Sequence, residues 1–146
     1  MGARLERREN LLRQMDETIG RLLATYRGIK IPESIVFGEW TAKDFLGHIV
    51  FWHESFARNV CDIASGVKPR PLKGKLSDLN QQGVEEMRLH SIETLISRLE
   101  AAHRNIQKNI LTKNLGEKLR RLGNGLIVCA QEGVFNSAPE TIFRKS

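Results

Sequence analysis

The sequence predicts an all-α fold. Apolar residues recur at spacings of three and four through most of the chain, Gly and Pro gather between the periodic stretches, and no run alternates apolar with polar residues as a half-buried strand would. At 146 residues, with 40% hydrophobic and 27% charged, the chain fits one globular domain over residues 1–146.

The first element is a long amphipathic helix over about 3–27. Leu5, Leu12, Met15, Ile19, Leu22, Leu23 and Tyr26 form its apolar stripe, and Gly28 with Pro32 ends it. After the loop IKIPESIVFGE, Thr41 and Asp44 make a capping-box-like start, with Asp standing where Glu or Gln is usual. A second helix over about 41–65 follows, with Phe45, Ile49, Trp52, Phe56, Val60 and Ile63 on a common face at about 100° per residue. Gly66 and the VKPRPLKGK segment stop it. A third helix is predicted over about 77–111, capped by Ser77 or Asp78, with Val84, Met87, Ile92, Leu95, Leu99, Ala102, Ile106 and Ile110 keeping the period. Residues 112–146 read as irregular: LGEKLRRLGNGLIVCAQEG holds a GNG breaker and a short apolar run. SAPETIFRKS then opens a helix near Ser137 whose seven or so residues are too few to stand alone.

The net charge of +6 is unevenly spread. Residues 1–30 carry seven Lys/Arg against four Asp/Glu, 31–100 carry eight against ten, and 101–146 carry eight against three. A nucleic-acid binder would gather that excess on one face beside aromatics or a reading motif. Here bases and acids alternate, as in RLERREN, which is the pattern of a solvated helix surface, so no nucleic-acid partner is expected. The longest apolar runs, such as LIVCA, fall far short of the roughly 20 residues that span a bilayer, and charges enter too early for a signal peptide. The expectation is a cytoplasmic protein without a membrane partner. Cys61 and Cys129 have no CxxC spacing and read as buried thiols.

Among the candidate functional residues, His48 stands out because it sits in the most apolar helical run of the chain, EWTAKDFLGHIVFW. On a helical wheel it lies about 75° from the centre of the apolar face, a boundary position open both to a core histidine with a satisfied ring and to a first metal ligand. His53 falls at the opposite edge of the helix and reads as a surface or boundary residue. His103, near the apolar face of its helix, reads as core, with an approach to His48 across the bundle as the alternative; His90 is off the stripe and reads as solvated. Trp40 fits a hydrophobic staple against Phe45. Trp52 fits either the core, with its indole nitrogen at the edge, or the wall of a ligand cavity. Asn80, Glu85 and Glu86 add polar groups that orient water in a cavity or, in the blander reading, form a solvated face.

The stretch Trp-Thr-Ala-Lys-Asp-Phe-Leu-Gly-His at residues 40–48, followed by Trp52, resembles the second-helix motif of the DinB-like superfamily, W-[ST]-x-[KR]-[DE]-x-[LI]-x-H. The segment DLNQQGVEEMRLHSIETLISRLEAAHRNI is similar to the third helix of the ClbS/DfsB branch, where a Leu-Asn pair precedes a charged helix. The resemblance covers about residues 3–111. It implies a DinB-like four-helix bundle. It also implies a detoxification or stress-protection role: metal-binding members join a histidine at the His48 position to an HxxxH pair on the fourth helix, while the ClbS/DfsB branch hydrolyses a reactive small molecule without that triad.

The chain departs from the metal-binding pattern, because no histidine follows His103 and SAPET only resembles the opening of the fourth helix. The expectation is therefore a truncated or divergent C-terminus, an incomplete or irregular fourth helix, and an apolar groove that favours a homodimer. No cofactor follows from the residues alone; a divalent metal (Zn, Ni or Fe) on His48 is the one the resemblance brings in. If the chain is active, a small electrophilic or hydrophobic molecule would lie between the helices, with His48 and Glu86 positioning water and Trp52 and Asn80 forming the ligand wall. The competing expectation is a non-catalytic helical module that has kept the fold and lost the site.

Overall fold

The computed structural model describes residues 2–70, 72–112 and 115. Four helices carry the chain: α1 (Gly2–Arg27), α2 (Ala42–Ala64), α3 (Leu76–Met87) and α4 (Ile92–Ile110), with a small antiparallel hairpin, β1 (Ile35–Phe37) and β2 (Trp40–Thr41), between the first two. Among the described residues no helix is long and apolar enough to cross a membrane. The expected irregular segment, the helix start at Ser137 and Cys129 lie outside the described residues, apart from Thr112 and Leu115.

Helix α1 buries only its C-terminal half, through Ile19, Leu23 and Tyr26; Leu5 and Leu11 stay exposed. It runs antiparallel to α4, since Arg8 donates to the carbonyls of Ile110 and Thr112 while Arg27 pairs with Glu100. The Tyr26 hydroxyl donates to the Ala42 carbonyl at 2.6 Å and ties the end of α1 to the start of α2.

The start of α2 follows the sequence reading. Thr41 Oγ1 accepts from the Asp44 amide at 3.0 Å, and Asp44 Oδ2 accepts from the Thr41 amide at 3.1 Å, so two of the free donors at the helix start are satisfied reciprocally. Asp44 also receives Arg88 Nε and Nη2 at 3.1 and 3.2 Å, which pins the end of α3 to the cap. Burial works against this carboxylate, but the Arg88 and Thr41 hydrogen bonds outweigh it and hold its pKa below the ordinary value.

The burial of α2 corrects the single-face expectation. Trp52, Val60 and Ile63 are buried as expected, but Phe45 is 40% exposed, whereas Leu46, Val50, Phe51 and Ala57 off that stripe are almost wholly enclosed. The reason is that α2 is the central helix. It receives α4 along one side, where Ala57 meets Ala102 and Ile106, and α3 along another. The α3 contact depends on two glycines: a Cβ on Gly47 would fall 2.7 Å from Met87 Cβ, and one on Gly83 would fall 2.5 Å from Phe51 Cγ. Backbones approach closely there because neither position carries a side chain.

Three local features depart from the sequence reading. The single helix expected over 77–111 is two, because the chain turns at Arg88–Ser91; Ser91 Oγ accepts from the Thr94 amide at 3.1 Å and starts α4 afresh. The break was hidden because Met87 and Ile92 both belong to buried faces, so the period seems continuous, while the intervening Leu89 is 88% exposed. Helix α3 starts at Leu76 after Lys75, with no side-chain cap, so neither Ser77 nor Asp78 is its N-cap. The β1–β2 hairpin was also unforeseen. Its first strand is exposed on both faces and so has no alternation to detect, and Gly38 takes φ +55 in its turn.

Candidate functional site

One face of α2 carries His48, Trp52, Ser55 and Asn59, spaced by four, three and four residues. That spacing places them within about 60° of one another along roughly 16 Å of helix. The first two were predicted site residues; Ser55 and Asn59 were not.

His48 lies between two aromatic rings, with centroids 5.1 Å from Trp40 and 6.2 Å from Phe45. Trp40 and Phe45, expected to staple to each other, thus both pack on this imidazole. Its Nδ1 is buried without a hydrogen-bond partner, and burial holds its pKa below the ordinary histidine value, so the ring is neutral at pH 7. Trp52 is buried, and its Nε1 donates to Asn80 Oδ1 at 2.7 Å, joining the two predicted ligand-wall residues across the α2–α3 contact. Ser55 is fully buried and Asn59 is 5% exposed, yet the Ser55 hydroxyl and both polar atoms of the Asn59 carboxamide have no hydrogen-bond partner among the described residues. Each such group costs about 1–3 kcal/mol when left unmet.

Glu86 is half-buried on α3, where its Oε1 accepts from Gln82 Nε2 at 3.1 Å. It also lies in the field of Arg58, whose pKa is lowered by burial, raised by Glu54, lowered by Arg98 and raised by Asp62 and Glu86. No hydrogen bond joins Glu86 to His48 among the described residues. The structure thus brings Trp52 to Asn80 and leaves His48 and Glu86 in separate surroundings.

The remaining histidines form a second polar system. His53, expected at the surface, is 6% exposed, because α4 packs on that side of α2. Its Nε2 lies 3.1 Å from His103 Nδ1, and His103 Nε2 lies 2.6 Å from Asp16 Oδ1. Asp16 accepts from His103 Nε2–H, and of the two facing nitrogens, His53 Nε2 and His103 Nδ1, one donates to the other. Gln107 donates to the same Asp16 oxygen at 2.9 Å. His103 therefore meets His53 rather than His48. Burial first, and the neighbouring His103 second, push the His53 pKa down to about 4. His90, expected in solvent, is half-buried, and its Nε2 accepts from Arg98 Nη1 at 3.1 Å; Arg98 also grips Glu54 through two bonds of 2.8 and 2.6 Å. Cys61, expected to be buried, is a half-buried free thiol.

The residues present do not fit a three-histidine metal centre. His48 supplies one imidazole, no histidine follows His103, and among the described residues no three His, Cys, Asp or Glu side chains gather as a ligand set. A cleft of about 460 Å³ between the C-terminal end of α1 and the N-terminal end of α4 is lined by Tyr26, Arg27, Lys43, Ser91, Glu93 and Ile96 among others, and none of the four predicted site residues borders it.

The i, i+4 spacing of Ser55 and Asn59 can be read from the sequence, but α2 carries other polar residues, Lys43, His53, Glu54 and Arg58 among them, so the spacing alone does not single these two out. No family model, no curated protein and no solved structure matches the chain.

Proposed function

We propose that this chain is a DinB-like protein of the ClbS/DfsB type, in which the His48–Asn59 face of α2 binds a small electrophilic or hydrophobic molecule, and hydrolyses it where it is reactive, in a detoxification or stress-protection role. The observation that carries this reading is the set of unpaired, buried polar atoms on one face of the central helix, beside aromatic rings. Small-molecule sites are built this way, from apolar walls with a few placed polar groups. His48 is the proton acceptor, because its neutral imidazole offers an unpaired nitrogen at pH 7. Trp52, held by Asn80, is the rigid wall. Glu86, held by Gln82, adds a polar group on α3 that orients water. No step passes through a metal, since among the described residues no ligand set for one gathers.

The test is a screen of small epoxides, esters and strained-ring electrophiles, following tryptophan fluorescence and turnover in the wild type and His48→Ala. The expected result is loss of turnover on substitution, with binding to the Trp52 wall partly kept. Unchanged turnover and affinity in His48→Ala would remove the reading.

A second reading is a non-catalytic helical module acting as a homodimer. It is favoured by the hairpin, where Ile35, Val36 and Phe37 are 63%, 55% and 71% exposed. Sedimentation of the wild type beside Phe37→Ser decides it: a dimer that becomes a monomer on substitution supports this reading, and a wild-type monomer removes it.

A further inference from the structure

We infer that the Ser55–Asn59 end of this face is a subsite for a ligand with a donor and an acceptor side by side, as in a primary carboxamide or a lactam; this inference rests on the small-molecule reading above. The Asn59 carboxamide presents one N–H donor pair and one C=O acceptor in a single plane, and neither has a partner. A group that answers both at once is another amide, meeting it edge to edge through two hydrogen bonds. A carboxylate would answer only the nitrogen, and a ketone or ether likewise, so each would leave Oδ1 buried and unmet.

The rest of the molecule provides its own control. Polar side chains inside these helices usually turn back on their own backbone. Thr18 and Thr25 donate to the carbonyls four residues earlier at 2.9 Å each, and Asn109 donates to the carbonyl and the Oδ1 of Asn105, both at 2.8 Å. Ser55 and Asn59 are separated by the same four residues and do not bond each other; the hydroxyl and both amide atoms remain unmet although Ser55 is fully buried and Asn59 nearly so. Their polar atoms are therefore held away from the local partners that other helical positions take. The Ser55 hydroxyl lies one turn before Asn59 on the same face of α2, placed to donate to the second lone pair of the same ligand carbonyl.

The experiment titrates the full chain with benzamide, N,N-dimethylbenzamide and benzoate, following the Asn59 side-chain amide resonances and tryptophan fluorescence. Dimethylation removes the donor and keeps the carbonyl and ring. Benzamide should bind about tenfold more tightly than either control, the loss expected when one or two neutral hydrogen bonds go unmade, and should shift the Asn59 amide signals. Asn59→Leu should erase the preference while dimethylbenzamide still binds, and should raise the melting temperature of the free protein by removing unmet polar atoms. Equal affinity for benzamide and dimethylbenzamide would overturn the inference and leave the small-molecule reading standing. Binding of none of the three would likewise overturn the inference, while the small-molecule reading stands or falls on the electrophile screen. The wild-type comparison decides the matter even if Asn59→Leu fails to fold.

Discussion

His48 and His53 leave the same helix five residues apart, about 140° around its axis, and their rings meet opposite conditions. His53 faces α4, where its Nε2 meets His103 and, through that ring, Asp16. His48 faces away, lies between Trp40 and Phe45, and keeps an unpaired Nδ1. Both are neutral at pH 7 because burial penalises the charged form. Burial and a lowered pKa therefore do not distinguish a functional histidine from a structural one. A hydrogen-bond partner does: the His53 ring meets His103 through Nε2, whereas His48 Nδ1 is buried with no partner among the described residues.

Acid breaks the paired side most strongly. The His53 pKa is about 4 in the folded chain against an ordinary value of 6.5, so the unfolded chain binds the proton first. Its contribution to stability is whole above pH 6.5, falls as the pH drops from 6.5 to about 4, and is flat below that. The expected loss is roughly 3 kcal/mol, read from urea midpoints across that window. His53→Gln should flatten most of this ramp. His48→Gln should remove only a smaller part, of the same sign, since the His48 pKa is also lowered.

Truncating the middle of the chain comes next. His103→Ala leaves His53 Nε2 without its hydrogen-bond partner and opens a gap between α2 and α4, at an expected cost of about 2–3 kcal/mol in urea unfolding. A loss below about 1 kcal/mol would show the relay to be incidental. On the other face, Trp52→Phe removes the bond to Asn80 Oδ1 while keeping an aromatic ring, for an expected loss of about 1 kcal/mol. The smallest effect belongs to His48→Phe. It removes an unmet nitrogen and keeps the stack, so stability should change by less than about 1 kcal/mol in either direction while turnover is lost. A large loss of stability there would place His48 among the structural residues and dissolve the contrast.

The helix ends were legible wherever short-range chemistry sets them. Thr41 and Asp44 announce their capping box in four letters, and the first two helices fall within a residue or two of the expected limits. Long-range packing was less legible. The wheel of α2 assumed one neighbour, but two helices pack on it, so His53 was assigned to a boundary that α4 in fact covers. The turn at Arg88–Ser91 escaped notice because two buried faces happened to join in phase. In the candidate site, His48, Trp52 and Asn80 could be found from residue type and spacing. Ser55 and Asn59 could not be told from ordinary helix residues, because what distinguishes them is a lack of partners, and partners belong to the folded chain.

The two glycines at the α2–α3 contact carry a kinetic consequence. Phe51 fills the notch at Gly83 and Met87 fills the notch at Gly47, each helix giving one projection and receiving one. A slide of α3 along α2 would have to withdraw both side chains at once, and fraying from either end would leave the other lock closed. The backbone amides of α3 should then exchange with deuterium as one block, at a single rate. The Trp52–Asn80 hydrogen bond, which joins the same two helices, would open and shut with that block as a whole.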